Sequence, residues 1–157
     1  MTMALLETFI IVALVGSGLN GGLFFIFSNC VMGSFEEMPD GEGMRAMQII
    51  NRRILNPMFL GLFAGTALVS LAVIILAVIA RTPGFGFAVA GSACYLLGGF
   101  GVTAVRNVPL NDRLDQASID TEPGRALWKR YLREWTRWNH VRTVFCIAAV
   151  PLLALAL

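Results

Sequence analysis

The chain has 157 residues, 57% of them apolar types and 14% charged, with a formal net charge of +2. Soluble domains run at about 45–50% apolar and about 25% charged, and a chain of this length cannot enclose such an apolar excess in a water-facing fold. These figures exclude a disordered protein and a nucleic-acid binder, and argue against a soluble enzyme. With a mean hydropathy of +0.72, they point to one membrane domain, residues 1–157.

A helix that crosses a bilayer needs about 20 mostly apolar residues, and four segments qualify, at about 5–33, 57–80, 85–105 and 138–157. No Lys or Arg precedes Arg45, which argues against a cleaved signal peptide with its basic start. In the first span Asn20, Phe24, Phe27 and Val31 share a face, a candidate aromatic pocket wall. Gly16, Gly18, Gly21 and Gly22 beside it serve close helix packing. The only acid in that span, Glu7, lies near its outer end. A small multidrug exporter would need an acid deep in the span.

Between spans one and two, Met44, Met47, Gln48, Asn51 and Leu55 repeat at helical spacing, so 41–55 reads as an amphipathic helix. Pro57 suits the first turn of the second span, and Thr82-Pro83-Gly84 is a tight turn into the third. Gly98-Gly99-x-Gly101 lies inside an apolar helix with no strand before it, so it is not a nucleotide loop. Pro109 is expected to break the third helix, and Pro123-Gly124 to open a final helix that runs uninterrupted into the fourth span. The expected fold is all-α. It is an integral membrane four-helix bundle with a cytoplasmic amphipathic helix between spans one and two and a long final helix extending out of the membrane.

Ten of the twelve basic residues lie in the two polar segments 34–56 and 106–137. The positive-inside rule places both segments in the cytoplasm and both termini outside the plasma membrane. Cys30, Cys94 and Cys146 each sit in an apolar run and read as small buried hydrophobes, not as a disulfide or zinc framework. One histidine, His140, allows no multi-histidine cluster within the chain, and no metal site is expected.

The final helix carries the densest chemistry. At about 100° per residue, Trp128, Tyr131, Trp135, Trp138, Asn139 and Arg142 share an arc of about 100°. Cys146 and Ala149 continue that face, so it should point into the bundle. Lys129, Arg133 and Arg137, then Val144, Ile147 and Ala148, cover the opposite side. A charge facing inward at the membrane boundary is costly unless it has partners, which makes Arg142 a functional candidate; its plainer role is snorkelling to the interface. The tryptophans read either as a pocket wall or as an interfacial belt. His140 falls on the outer side, away from that face.

Asn29, Asn51, Asn56, Asn107, Asn111 and Asn139 cluster at the cytoplasmic helix ends together with Arg106 and Arg113. Single asparagines there are caps; this many, with arginines, suits a polar site for an oxygen-rich or anionic group. Glu36, Glu37 and Glu134 are candidate bases or ion-pair partners, whereas Asp112, Asp115, Asp120 and Glu122 read as solvated.

Three stretches carry a family resemblance: Met47 to Arg52 running on to Asn56-Pro57-Met58-Phe59, Arg106 to Leu114, and Trp135 to Thr143. Together they resemble the anthrone oxygenase-like family of small four-helix membrane proteins. The resemblance covers nearly the whole chain. Some members of that family oxidise anthrones to anthraquinones without a known metal or flavin. The resemblance implies a site on Asn51, Asn56, Asn107, Asn111, Trp135, Asn139 and Arg142.

On that basis a planar phenolic or quinone-like molecule enters from the bilayer. Trp135 and Trp138 stack on it, with Asn20, Phe24 and Phe27 as a further wall. Asn107, Asn111 and Asn139 hold its oxygens, and Arg142 stabilises an enolate that reacts with O₂ in a monooxygenase reaction without a cofactor. Glu134 or His140 would be the base. Two other readings stay open: a non-catalytic module for a lipid, quinone or partner protein, and a haem protein ligated through His140. The expected partners are a hydrophobic small molecule and the lipid bilayer. The glycine-rich spans could equally pack within one bundle or in a homo-oligomer.

Overall fold

The computed structural model describes residues 2–39 and 41–157, and these are helical with no strand among them. The first rod joins α1 (Thr2–Ile26), a π-helical turn (Phe27–Val31) and α2 (Met32–Glu37). Next come α3 (Glu42–Arg53) and α4 (Pro57–Ala80). The third rod joins α5 (Phe85–Ala93), two π-helical stretches (Cys94–Gly101 and Thr103–Asn107) and α6 (Val108–Asp115). The last and longest helix is α7 (Glu122–Ala154).

On α1 the buried positions Leu6, Ile10, Ala13, Ser17, Asn20 and Phe24 recur every three or four residues, while Ile11, Val15 and Leu19 are apolar yet exposed. A helix that is apolar all round belongs in lipid, where its outer side chains need no polar cover. Among the described residues three helical runs are long and apolar enough to cross a membrane, Met3–Glu37, Pro57–Ala80 and Phe85–Asp115. The chain is a membrane protein of helices.

The long helices approach closely because small residues lie at their contacts. A Cβ at Gly16 would sit 2.2 Å from Thr66 on α4, and one at Gly98 would sit 2.1 Å from Phe145 on α7. α1 thus packs against both α4 and α7, and the third rod packs against α7. This apolar core holds Phe24, Phe63, Val73, Tyr95, Cys146 and Leu153. A second core lies beyond it, where α2, α3 and α6 close around the polar half of α7. There Met32, Phe35, Met44, Met47, Leu114 and Tyr131 are buried. The turn into α3 uses Gly41 at φ 84°, a left-handed conformation open to glycine without steric cost.

Several sequence expectations are adjusted. The third rod does not break at Pro109; it runs on to Asp115. Proline removes a backbone donor and crowds the preceding turn, and here the widened π turn Thr103–Asn107 comes directly before it and relieves that crowding. The amphipathic helix buries Met44, Met47 and Asn51 as its spacing predicts, but it ends at Arg53, and Leu55 lies beyond it, exposed. Cys146 is buried, Cys94 half-buried and Cys30 exposed, so the reading of all three as core residues fails for Cys30. The segment expected as a fourth span forms the end of α7 and is less apolar than the other three, because Asn139, His140 and Arg142 fall within it.

The contact between α2 and α3 is tested by Gly43→Ala. Its new Cβ would meet the Phe35 carbonyl oxygen at 2.2 Å, whereas Gly61 has open space. Gly43→Ala should cost about 1–3 kcal/mol of stability in an SDS-unfolding titration of the micellar protein, and Gly61→Ala less than about 0.5 kcal/mol.

Candidate functional site

A cavity of about 90 Å³ opens where the two cores meet. Its floor is polar, formed by Arg142 and Asn139 of α7 and Thr103 of the third rod. Phe24, Phe27 and Trp135 make its aromatic walls. Ile50 and Ile54 from the α3 end, with Leu55 and Phe59, form the mouth, and Asn51 and Asn111 stand at one side. The volume is well below the roughly 300–1,000 Å³ of small-molecule pockets, so a ligand of several rings must displace mouth side chains.

Arg142 dominates the floor. It is only 5% exposed, and among the described residues it has no ion-pair partner. Its charge is met by dipoles and ring faces. Nη1 donates to Thr103 Oγ1 at 3.0 Å, and Nη2 donates to Asn139 Oδ1. The guanidinium carbon lies 4.0 Å from the Phe24 ring centre and 5.2 Å from that of Trp135, a cation–π arrangement on both. Its Nε has no protein partner.

The supports of Arg142 are themselves fixed. Asn139 Nδ2 donates to the Phe24 carbonyl at 2.6 Å and to Ser28 Oγ, tying α7 to the first rod. Thr103 Oγ1 donates to the Gly99 carbonyl at 2.6 Å. Both Ser28 and Thr103 belong to π-helical turns. Such turns often mark functional positions in helices. Above them the rings of Trp128, Tyr131 and Trp135 stack in sequence, centres 5.8 and 5.9 Å apart. Tyr131 Oη donates to Asn111 Oδ1 at 2.7 Å and accepts from Asn51 Nδ2 at 3.4 Å. Burial pushes the Tyr131 phenol above its ordinary pKa, so it stays a donor at neutral pH.

The structure gathers Phe24, Phe27, Asn51, Asn111, Trp135, Asn139 and Arg142 around one space. The other candidates lie elsewhere. Asn107 is buried behind Trp135, whose carbonyl accepts from its Nδ2 at 3.3 Å. Asn20 is buried and donates to the Gly16 carbonyl at 2.9 Å within its own helix. Asn56 is the N-cap of α4, accepting from the Phe59 amide at 3.0 Å. Trp138 faces another depression and stacks under Arg106 at 4.7 Å. Glu134 is not a free base: its Oε1 accepts from Arg130 Nε at 2.8 Å, which holds its carboxyl below the usual range. His140 is exposed on the outer side of α7, and Asn29, Glu36 and Glu37 are exposed too.

Thr103 and Ser28 escaped the sequence reading. The available signal was small, a lone hydroxyl in an otherwise apolar run near an arginine-bearing helix. The mouth residues Ile50, Ile54 and Phe59 carried no signal, since apolar residues are common throughout the chain.

A family model described as anthrone oxygenase matches residues 52–152. The match takes in Thr103, Trp135, Asn139 and Arg142 and leaves out α1, α2 and most of α3. No curated protein and no solved structure matches the chain.

Removing the Asn139 side chain deprives a buried guanidinium of an acceptor and the Phe24 carbonyl of a donor. Asn139→Ala should therefore lower stability by about 1–3 kcal/mol, read from the unfolding midpoint in micelles. Asn29→Ala, at an exposed position, should leave that midpoint in place.

Proposed function

The chain belongs to the anthrone oxygenase family, and we propose that its cavity binds the oxygen-bearing edge of a planar phenolic molecule such as an anthrone and promotes its oxidation by O₂ to a quinone. The observation that carries this reading is a buried arginine that, among the described residues, has no anionic partner and no acceptor for its Nε–H, on the floor of an aromatic-walled cavity. A cation so placed favours a ligand whose negative charge develops during the reaction, because its dipolar partners are already oriented.

In the proposed reaction the ligand's methylene carbon loses a proton and the negative charge spreads to the ring oxygen beside Arg142. The anion gives one electron to O₂, and the resulting pair combines at the same carbon. The peroxide anion so formed takes up a proton, and the hydroperoxide then breaks its O–O bond and loses water with the remaining hydrogen of that carbon, leaving a second carbonyl. One O₂ is consumed, one of its atoms stays in the quinone, and the other leaves as water. Among the described residues Arg142 is the only ionisable side chain in the cavity wall, so the proton goes to water through the mouth, not to Glu134 or His140. The reading invokes no cofactor. Haem on His140 would have to sit on the opposite side of α7 from the cavity.

The same proposal makes the end of α7 a fourth crossing, with 34–56 and 106–137 on the cytoplasmic side of the plasma membrane. Lipid cannot satisfy an exposed cation, and the basic residues are concentrated in those two segments. A membrane-impermeant thiol reagent tests the orientation on a cysteine-free background. Pro83→Cys should label in intact cells and Ser118→Cys only after permeabilisation; the reverse pattern contradicts it.

Oxygen uptake with 1,8-dihydroxyanthrone tests the chemistry. The wild-type protein should accelerate uptake over empty micelles. Arg142→Gln should lower the rate by about 10²–10³-fold, Arg142→Lys should keep part of it, and His140→Ala should leave it unchanged. No acceleration by the wild type removes the catalytic reading, and a Soret band in the purified protein would favour the haem alternative.

A further inference from the structure

We propose that a second depression, on the outer side of the third rod and α7, binds the phosphate group of an anionic phospholipid. It is separate from the cavity above. Arg106 and Arg113 from the third rod meet Arg130, Glu134 and Trp138 from α7 around about 140 Å³ of space. Val105, Pro109 and Leu110 form its apolar lip.

Charge is the first ground. Three guanidinium groups face a single carboxylate, and that carboxylate is taken up by Arg130 at 2.8 Å. Among the described residues neither Arg106 nor Arg113 has an ion-pair partner. Arg133 adds a further positive charge, near enough to act on the Glu134 carboxyl. Planar guanidinium forks match phosphate oxygens in pairs.

Position is the second ground. The apolar run of the third rod ends at Val105, and Arg106 is its first charged residue, which sets the pocket where hydrocarbon gives way to headgroups. Trp138 is half-buried at the same level, where tryptophan is enriched in membrane proteins. Val105 is 67% exposed and offers an apolar surface for the acyl chains below. Basic pockets between membrane helices on the cytoplasmic side suit lipid phosphates. The stacking of Arg106 on Trp138 at 4.7 Å holds one guanidinium in place before a ligand arrives.

The test uses the full chain in dodecyl maltoside micelles, titrated separately with short-chain phosphatidylglycerol, phosphatidylcholine and inorganic phosphate. Retained ligand is counted by native mass spectrometry. Phosphatidylglycerol should bind at about tenfold lower concentration than phosphatidylcholine. The Arg106→Gln/Arg113→Gln double variant should lose about tenfold or more of that affinity, and Arg45→Gln/Arg53→Gln, whose residues lie outside the pocket, should lose none. Glu134→Gln removes the one negative charge and should tighten binding, which keeps a readout should the double variant fail to fold. Equal retention of the two lipids, a double variant that binds like wild type, or no gain with Glu134→Gln overturns the proposal. Inorganic phosphate that competes at the lipid's own concentration overturns it in favour of a free-anion site.

Discussion

The constraint on which the rest of the architecture turns is a guanidinium buried, among the described residues, without an anion. Removing a cation from water costs several kcal/mol even after relaxation, so Arg142 can persist at 5% exposure only if neutral groups replace its hydration. Asn139 and Thr103 supply oxygen dipoles, and Phe24 and Trp135 supply ring faces. Each of these comes from a different turn of the fold or a different helix. Asn139 in turn is held by the Phe24 carbonyl and Ser28 on the first rod. The cation therefore sets the register of α7 against both the first and third rods, and the close glycine contacts are what allow those helices to come near enough.

The position of Arg142 also organises the two cores. On one side α7 narrows to Cys146 and Ala149 against glycine-bearing helices. On the other it carries the stacked rings of Trp128, Tyr131 and Trp135, which α3 and α6 enclose. A cavity at that junction is apolar on its walls and cationic at its base. On the proposed reading it takes a ligand from the hydrocarbon and presents charge only to its polar edge. The arginines of the outer depression, Arg106 and Arg113 on the third rod and Arg130 on α7, face a different environment, exposed where Arg142 is buried.

The inward face of α7 was legible because a continuous helix has a fixed period. Trp128, Tyr131, Trp135, Asn139, Arg142 and Cys146 are buried where the spacing puts them. Trp138, at the edge of that arc, is half-buried and turned to the outer depression. The end of the third rod is not legible in the sequence, because proline breaks a regular α-helix whereas the π turn ahead of Pro109 accommodates it. The asparagines divide into different roles that the sequence does not separate. Asn56 caps a helix, Asn107 braces the Trp135 backbone and Asn111 borders the cavity, yet composition and spacing treat them alike. What separates them is the tertiary partner of each amide.

The ionisation of a bound chromophore tests most directly whether Arg142 acts as an anion-stabilising centre. 1,8-Dihydroxyanthraquinone changes colour when its phenol ionises, so absorbance against pH gives its midpoint in protein micelles and in empty ones. A cation within about 4–6 Å should lower that midpoint by about 1–3 pH units, and Arg142→Gln should restore it to the empty-micelle value. A bound midpoint equal to or above that of empty micelles would contradict the role assigned to Arg142.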